Sequence, residues 1–395
     1  MMAERVPMKK RVFFYVQHLL GIGHIVRASR IAEAMQAAGL DVTMVTGGKP
    51  VEGFPGALLT HVELPPVIAS NSGFSGLADV DGVPVDGAFL ARRTDRLLSA
   101  FRDCDPDVVL IEAFPFGRRQ MRFELLPLLE AIKSAPRRPL LFSSVRDILQ
   151  ENRKPGRDEE TVRLVEDHFD GVLVHGDPQF VRLEETFPLA HRIADKVHYT
   201  GLVAPEPPEP ARDRFDVIVS AGGGAVGAAL IDAAIRAQAL LQDPRSWCLI
   251  TGPNLPQADF ERLSGQTPQH VTLVRFRRDF PNLLMNAALS ISQAGYNTVG
   301  DLLRADCAAV LVPFASGGET EQTVRAQKLA ALGFAEIVPE EGLNGERLAE
   351  AIRRIDRQPA RAGISIAADG ARQTAILIGD MIARRSGRRT EQPQV

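Results

Sequence analysis

The segment GIGHIVR at 21–27 sets Gly21, Gly23 and His24 directly behind the apolar run RVFFYV. A glycine turn between a strand and a helix lets backbone approach a phosphate or a sugar. An imidazole at that helix start can act as a general base, because its ordinary pKa lies near neutrality, or it can donate to a departing phosphate. The plain alternative is a histidine that caps a helix. Arg27, one turn on, suits either an anion or solvent. Glu112, which closes the run DVVLIE, and Asp147, after LLFSSVR, are second candidates for acid or base.

Three later segments repeat the turn. In FDVIVSAGGGAVGAAL, Ser220 and the glycines Gly222, Gly223 and Gly224 precede a helix expected from about Ala225, a natural seat for a diphosphate. In SISQAGYNTVGDLL, Gly295 is followed by Asn297 and Thr298 as helix-cap candidates, with Asp301 on the same face. In VPFASGGETEQTVRAQKL, Glu319, Glu321 and Gln322 surround a helix start. Carboxylates are favoured there and can accept paired hydrogen bonds from vicinal hydroxyls such as those of a ribose. Tight turns, caps and a solvated acidic helix start explain each segment singly.

Two familiar nucleotide signatures are absent. Val26 stands where a dinucleotide fingerprint needs its third glycine, and DVTMVT ends in Gly47 and Gly48 instead of an acidic residue. The triple-glycine loop lacks the Gly-Lys-Ser/Thr ending of a P-loop.

These residues need a scaffold that aligns strand ends. Apolar runs at 11–17, 41–46, 107–112, 139–145 and 171–175 alternate with amphipathic stretches such as 24–38 and 120–134. Runs apolar on both faces read as parallel strands covered by helices. GLVAPEPPEPARDR at 201–214 is too rich in proline for a helix or a central strand and reads as a linker. The pattern restarts at 215–220, 247–252, 271–276, 289–292 and 308–314. The expectation is an α/β protein of two doubly wound, Rossmann-like domains facing a cleft. It assigns 1–200 to a first domain, 215–385 to a second, and 386–395 to a flexible tail.

A chain of 395 residues fits two cores, and a net charge of −3 argues against a nucleic-acid partner. Cys104, Cys248 and Cys307 are far apart and form no C-x-x-C pair, as suits a reducing compartment. No apolar stretch approaches the roughly 20 residues of a membrane span, and the expectation is a cytoplasmic protein. In IEAFPFGRRQMRFELLPLLE, Phe114, Phe116 and Phe123 interleave with Arg118, Arg119 and Arg122. That mixture suits an amphiphilic or anionic acceptor or peripheral contact with the inner face of a membrane, and equally a core helix with a charged outer face. VHGDP at 174–178 ends another strand and could line the acceptor side. No D-x-D or H-x-x-x-H pattern offers a metal site, and no cofactor is called for.

Taken in order, the glycine loop, the AG helix start and the VPF segment with its Gln resemble the nucleotide-sugar-binding domain of GT-B glycosyltransferases, especially MurG-like family 28. The resemblance spans roughly 215–360 and departs at Asp301, Glu321 and Arg325, where the family more often has Glu, Gln and Asn. It implies a donor held by the glycine loops and by Asn297, Thr298, Asp301, Glu319, Glu321 and Gln322, with the nucleobase passing RFR at 275–277, Phe276 included. GIGHIVR resembles the first loop of the same superfamily, and its G-x-G-H-x-x-R form is also similar to the UDP-sugar hydrolase of the pseudaminic acid pathway. The activity implied is an inverting, metal-independent transfer from a nucleotide sugar, such as a UDP-sugar, to an amphiphilic or small-molecule acceptor. A nucleotide-sugar hydrolase with His24 activating water, and a non-catalytic nucleotide-sugar binder, are the alternatives.

Overall fold

The computed structural model describes residues 9–19, 22–56, 59–69, 76–150, 154–222, 227–253, 255–315, 319–357 and 366–390. The chain forms two compact units. One comprises Met1–Pro178, Arg182–Val203 and Asp369–Val395, and the other Gln179–Val181 and Ala204–Ala368.

The first unit begins with β1 (Arg11–Val16), α1 (Gly23–Ala37), β2 (Asp41–Thr46), β3 (Thr60–Glu63) and the short antiparallel pair β4 (Ile68–Ala69) and β5 (Leu77–Ala78). It continues with α2 (Gly87–Cys104), β6 (Val108–Glu112), α3 (Arg122–Lys133), β7 (Leu140–Arg146), α4 (Arg157–His168), β8 (Gly171–His175) and β9 (Val197–Tyr199). Seven strands make one parallel sheet in the order β3-β2-β1-β6-β7-β8-β9. β6 and β8 are buried along their whole length because helices cover both faces of the sheet. The edge strands β3 and β9 escape the periodicity reading. They have only four and three residues and are half-buried or exposed, so no apolar run marks them.

The second unit carries β10 (Val217–Ser220), α5 (Ala228–Leu241), β11 (Trp247–Ile250), α6 (Gln257–Gln266), β12 (Val271–Val274), α7 (Phe280–Leu284) and β13 (Leu289–Ser292). It then adds α8 (Tyr296–Ala305), β14 (Ala308–Leu311), α9 (Glu321–Ala331), β15 (Ala335–Ile337) and α10 (Gly345–Asp356). Its six parallel strands run in the order β12-β11-β10-β13-β14-β15. In each sheet the direction of winding reverses once, between β1 and β6 in the first and between β10 and β13 in the second. Ligands of open α/β sheets bind beyond the strand carboxyl ends at such a point.

Two boundaries differ from the expectation. The sequence pattern extends the second domain to residue 385, yet α11 (Gly370–Thr390) belongs to the first unit, where it packs along α1. Val203 and Asp369 are bridged antiparallel and Gly370 N–H donates to Leu202 C=O, so the chain re-enters this unit beside the point where it left. The tail expected at 386–395 is helical to Thr390, and 391–395 lie outside the described residues. The proline-rich stretch is also no free spacer. Asn282 and Asn286 donate to Glu209 and Ala211 carbonyls, and Arg277 pairs with Asp213 at 2.9 Å, tying it to the second unit.

Candidate functional site

In the first unit, the loop after β1 delivers His24 as the second residue of α1. The histidine does not cap its helix. Its Nδ1 lies 2.9 Å from Glu112 Oε1, at the carboxyl end of β6, across the point where the winding reverses. Arg27, 2% exposed, donates to the same oxygen. The β6–β7 register pairs Glu112 with Ser144, whose hydroxyl donates to Glu112 Oε2 at 2.6 Å. Ser144 Oγ is 3.0 Å from His175 Nε2 at the end of β8, and His175 Nδ1 is 2.8 Å from Thr200 Oγ1.

The charge states follow from burial and neighbours. Burial raises the Glu112 carboxyl, but Arg27, His24 and Ser144 outweigh it and hold the group ionised, well below the usual carboxylate range. Burial and the Arg118 guanidinium lower the His24 imidazole to about 3, against the pull of Glu112. Burial and Arg27 lower His175 to about 3 as well. Both rings are therefore neutral near pH 7. A neutral His24 can bond an ionised carboxylate only as Nδ1–H donor, which leaves its Nε2 lone pair free to take a proton.

Ala113 and Arg118 adopt φ of +65° and +57°, a region that side chains seldom occupy, and they flank the turn that follows Glu112. Arg118 Nε donates to Gln17 C=O at 2.8 Å, tying this turn to the loop before α1. Burial and Arg146 lower the Arg118 guanidinium to about 10, so it stays cationic near His24.

The remaining first-unit candidates divide. Gly23 opens α1, and Gly21 lies outside the described residues. Asp147 is fully buried one residue past β7 and accepts from its neighbour Ile148 N–H. Hydrogen bonds extend the His24–Glu112 pair through Ser144 to His175. The basic-aromatic stretch is a core helix with a charged outer face. Phe114 is buried, Phe116 stacks edge-on against Phe187, and Arg119 and Arg122 both pair with Glu160. Its aromatic rings are thus packed into the protein, which corrects the reading of a lipid-facing or acceptor-facing surface.

In the second unit, Ser220 ends β10, and Gly222 follows with φ +75°. A Cβ at 222 would meet the movable end of Gln293 at 2.9 Å, so it is the backbone conformation that calls for glycine there. Gly223 and Gly224 lie outside the described residues. Gly295 is the N-cap of α8, which places Asn297 and Thr298 inside its first turn instead of at the cap, with Asp301 buried on the next. Among the described residues, a Cβ at 295 would meet only Thr298 Oγ1, at 3.9 Å, so none of them demands this glycine. Phe276 follows β12 and is 57% exposed, rare for a ring of that size.

The acidic helix start does local work. Glu319 accepts from Glu321 N–H, and Gln322 Oε1 accepts from Ala294 and Phe314 N–H, both at 3.1 Å. This clamps the loops after β13 and β14 together. Glu321 is 3% exposed and paired at 2.7 Å with the fully buried Arg325, which also donates to Ala294 C=O and lies against the Tyr296 ring. Two of the three residues that depart from the family pattern, Glu321 and Arg325, thus compensate one another.

Residues 218–374 match the glycosyltransferase family 28 C-terminal domain. The chain carries a family 28 glycosyltransferase domain. The resemblance read from the loop motifs is borne out, and the domain's strand ends bear the glycine loop, Gly295 and Phe276 described above.

Among similar proteins are two named UDP-N-acetylglucosamine–N-acetylmuramyl-(pentapeptide) pyrophosphoryl-undecaprenol N-acetylglucosamine transferase. The one from Synechococcus sp. (strain CC9605) is 38% identical over 120 residues, 29% of this chain and 32% of its own length. The one from Brucella anthropi is 32% identical over 158 residues, 39% and 42% of the two chains. This chain therefore spans about a third to two fifths of the length of the curated relatives it matches.

Solved structures extend the likeness in fold to the whole molecule. The calicheamicin glycosyltransferase CalG4 aligns with a TM-score of 0.60 at 17% identity, covering 96% of this chain and 98% of its own. MurG of Acinetobacter baumannii aligns with 0.58 at 19%, covering 95% and 99%. The fold is GT-B, two doubly wound Rossmann-like units, as expected from the sequence. Among the described residues, no group of three or more His, Cys, Asp or Glu is placed to hold a metal ion.

Proposed function

We propose that the protein is an inverting, metal-independent glycosyltransferase that moves a sugar from a UDP-sugar to a hydroxyl acceptor, lipid-linked or small. The observation that carries the chemistry is the His24–Glu112 pair, a neutral imidazole held by an ionised carboxylate with its outer nitrogen bare. His24 Nε2 takes the acceptor proton as the acceptor oxygen attacks the anomeric carbon. The bond from that carbon to the diphosphate oxygen breaks on the opposite face, so the configuration inverts and UDP departs with the electron pair.

The family 28 domain is read as the donor module. Gly222 and Gly295 give the diphosphate access to backbone N–H groups and to the first turns of α5 and α8, which offset the charge of the leaving group. Phe276 offers an exposed ring beside the nucleobase. Gln322 and the Glu321–Arg325 pair brace these loops. Asn297, Thr298, Asp301 and Glu319 stay assigned to the sugar and ribose hydroxyls.

The test is product analysis. Wild-type protein, a panel of nucleotide sugars and acceptor fractions from cell extract, soluble and lipid, are incubated with chelator and analysed by mass spectrometry. A sugar conjugate supports the transferase. Free sugar alone would shift the reading to a hydrolase with His24 activating water, and nucleotide binding without turnover would make the protein a binder.

A further inference from the structure

The reaction just described uses His24 and Glu112 and leaves unexplained the polar side chains buried behind them. Ser144 and His175 are 1% and 0% exposed, on strands whose buried side chains are otherwise apolar apart from Ser143. We propose that Ser144 and His175 are positioning residues whose one-way hydrogen-bond chain fixes the tautomer of His24 and keeps its Nε2 bare. The inference rests on His24 being the base of the proposed transfer.

The direction of the chain follows from the number of hydrogens available. Glu112 is ionised and can only accept, so the single hydrogen of Ser144 goes to Oε2, the shorter of its two contacts at 2.6 Å. Ser144 Oγ must then accept at its 3.0 Å contact, so His175 carries its proton on Nε2. His175 is neutral, which leaves its Nδ1 bare to accept from Thr200 Oγ1–H at 2.8 Å. Two other acceptors near Thr200, the carbonyls of Val174 and Gly201, lie at 3.5 and 3.4 Å and compete poorly.

The opposite polarity fails. With the proton on His175 Nδ1, one Ser144 hydrogen would have to serve both Glu112 Oε2 and His175 Nε2, and one of two buried acceptors would go without. Every donor therefore points from Thr200 toward Glu112. The carboxylate that results, bonded on both oxygens, takes the His24 proton on Nδ1 and no other. Arg27 reinforces it from α1, and Arg118 disfavours a second proton on His24.

Nitrogen-15 NMR of the full chain, labelled at histidine, reads the two tautomers directly, with signals assigned by their loss in His24→Asn and His175→Leu. Near pH 7.5, the expected pattern is His24 protonated on Nδ1 and His175 protonated on Nε2. A proton on His175 Nδ1 would overturn the inference. Ser144→Ala should mix the His24 tautomers and lower kcat by roughly tenfold to a hundredfold, the span of one hydrogen bond to a charged group, with UDP affinity unchanged. His175→Gln, which keeps a donor near Nε2, should recover most of the turnover lost in His175→Leu. Variants that lower only the melting temperature, with His24 tautomer and kcat unmoved, would reduce the chain to a structural feature and overturn the proposal. A wild-type protein that turns over no nucleotide sugar would sink the transferase reading instead, and the tautomers would still decide this one.

Discussion

Replacing His24 with Asn should flatten the acid sensitivity of the first unit. The ring has an ordinary value of 6.5 when unfolded and about 3 in the folded protein, where burial and Arg118 oppose its charge. The unfolded chain therefore binds a proton between these values that the folded chain refuses. Stability is fully present above pH 6.5 and falls as the pH drops below it, continuing toward pH 3. At pH 5 the difference amounts to about 2 kcal/mol for one such histidine, and at pH 8 it vanishes. His175 has the same shift, so the two together remove about 4 kcal/mol between pH 8 and 5, a large part of an ordinary folding free energy.

In His24→Asn, the amide nitrogen can still donate to Glu112, so the carboxylate keeps its partner while one titration disappears. The pH-induced loss should shrink by about 2 kcal/mol relative to wild type. The single tryptophan, Trp247, lies in the second unit and does not report on this one. Urea unfolding is therefore followed by circular dichroism together with hydrogen exchange in β1 and β6. If the variant loses as much stability as wild type between pH 8 and 5, His24 is not held neutral by its surroundings, and the assignment of its free nitrogen falls with it.

Three other outcomes are expected. The same His24→Asn protein should lose on the order of 10²–10⁴ in kcat while binding UDP as wild type does in calorimetry, and wild-type kcat/KM should show no acid limb near pH 6.5. Gly222→Val should weaken UDP binding by at least about tenfold, because a β-branched residue is strained at φ +75° and would reshape the loop. Unchanged affinity would remove this loop from the donor site. Glu321→Gln should cost about 3 kcal/mol by leaving Arg325 buried without its carboxylate, and adding Arg325→Asn should restore much of it. A double variant no more stable than the single one would contradict the compensation.

The central strands and the two-unit plan were legible because buried parallel strands write themselves as unbroken apolar runs, as in DVVLIE and GVLVH. The edge strands β3 and β9 were not, since a short strand covered on one side carries no such run. α11 was placed with the wrong unit because its helical pattern says nothing of which core it joins. Only the pairing of Val203 with Asp369 and the packing on α1 decide that. Within the site, His24 and Glu112 each stood out singly, at a helix start and at a strand end. That they meet is a matter of β1 and β6 being neighbours. Ser144 and His175 carry a signal of their own, a polar side chain at the same end of two adjacent apolar strands, but VHGDP alone does not show that His175 meets Ser144. Glu321 reads as a ribose ligand because the sequence does not show that Arg325, one helical turn on, turns inward to hold it.

The most direct test of the account follows the anomeric proton of the sugar by time-resolved NMR, with UDP-sugar, acceptor and chelator present. The account predicts that wild-type protein builds a conjugate of configuration opposite to the donor's, while His24→Asn binds UDP and leaves the donor intact. A product of retained configuration, a strict need for metal, or turnover in His24→Asn equal to wild type would contradict it.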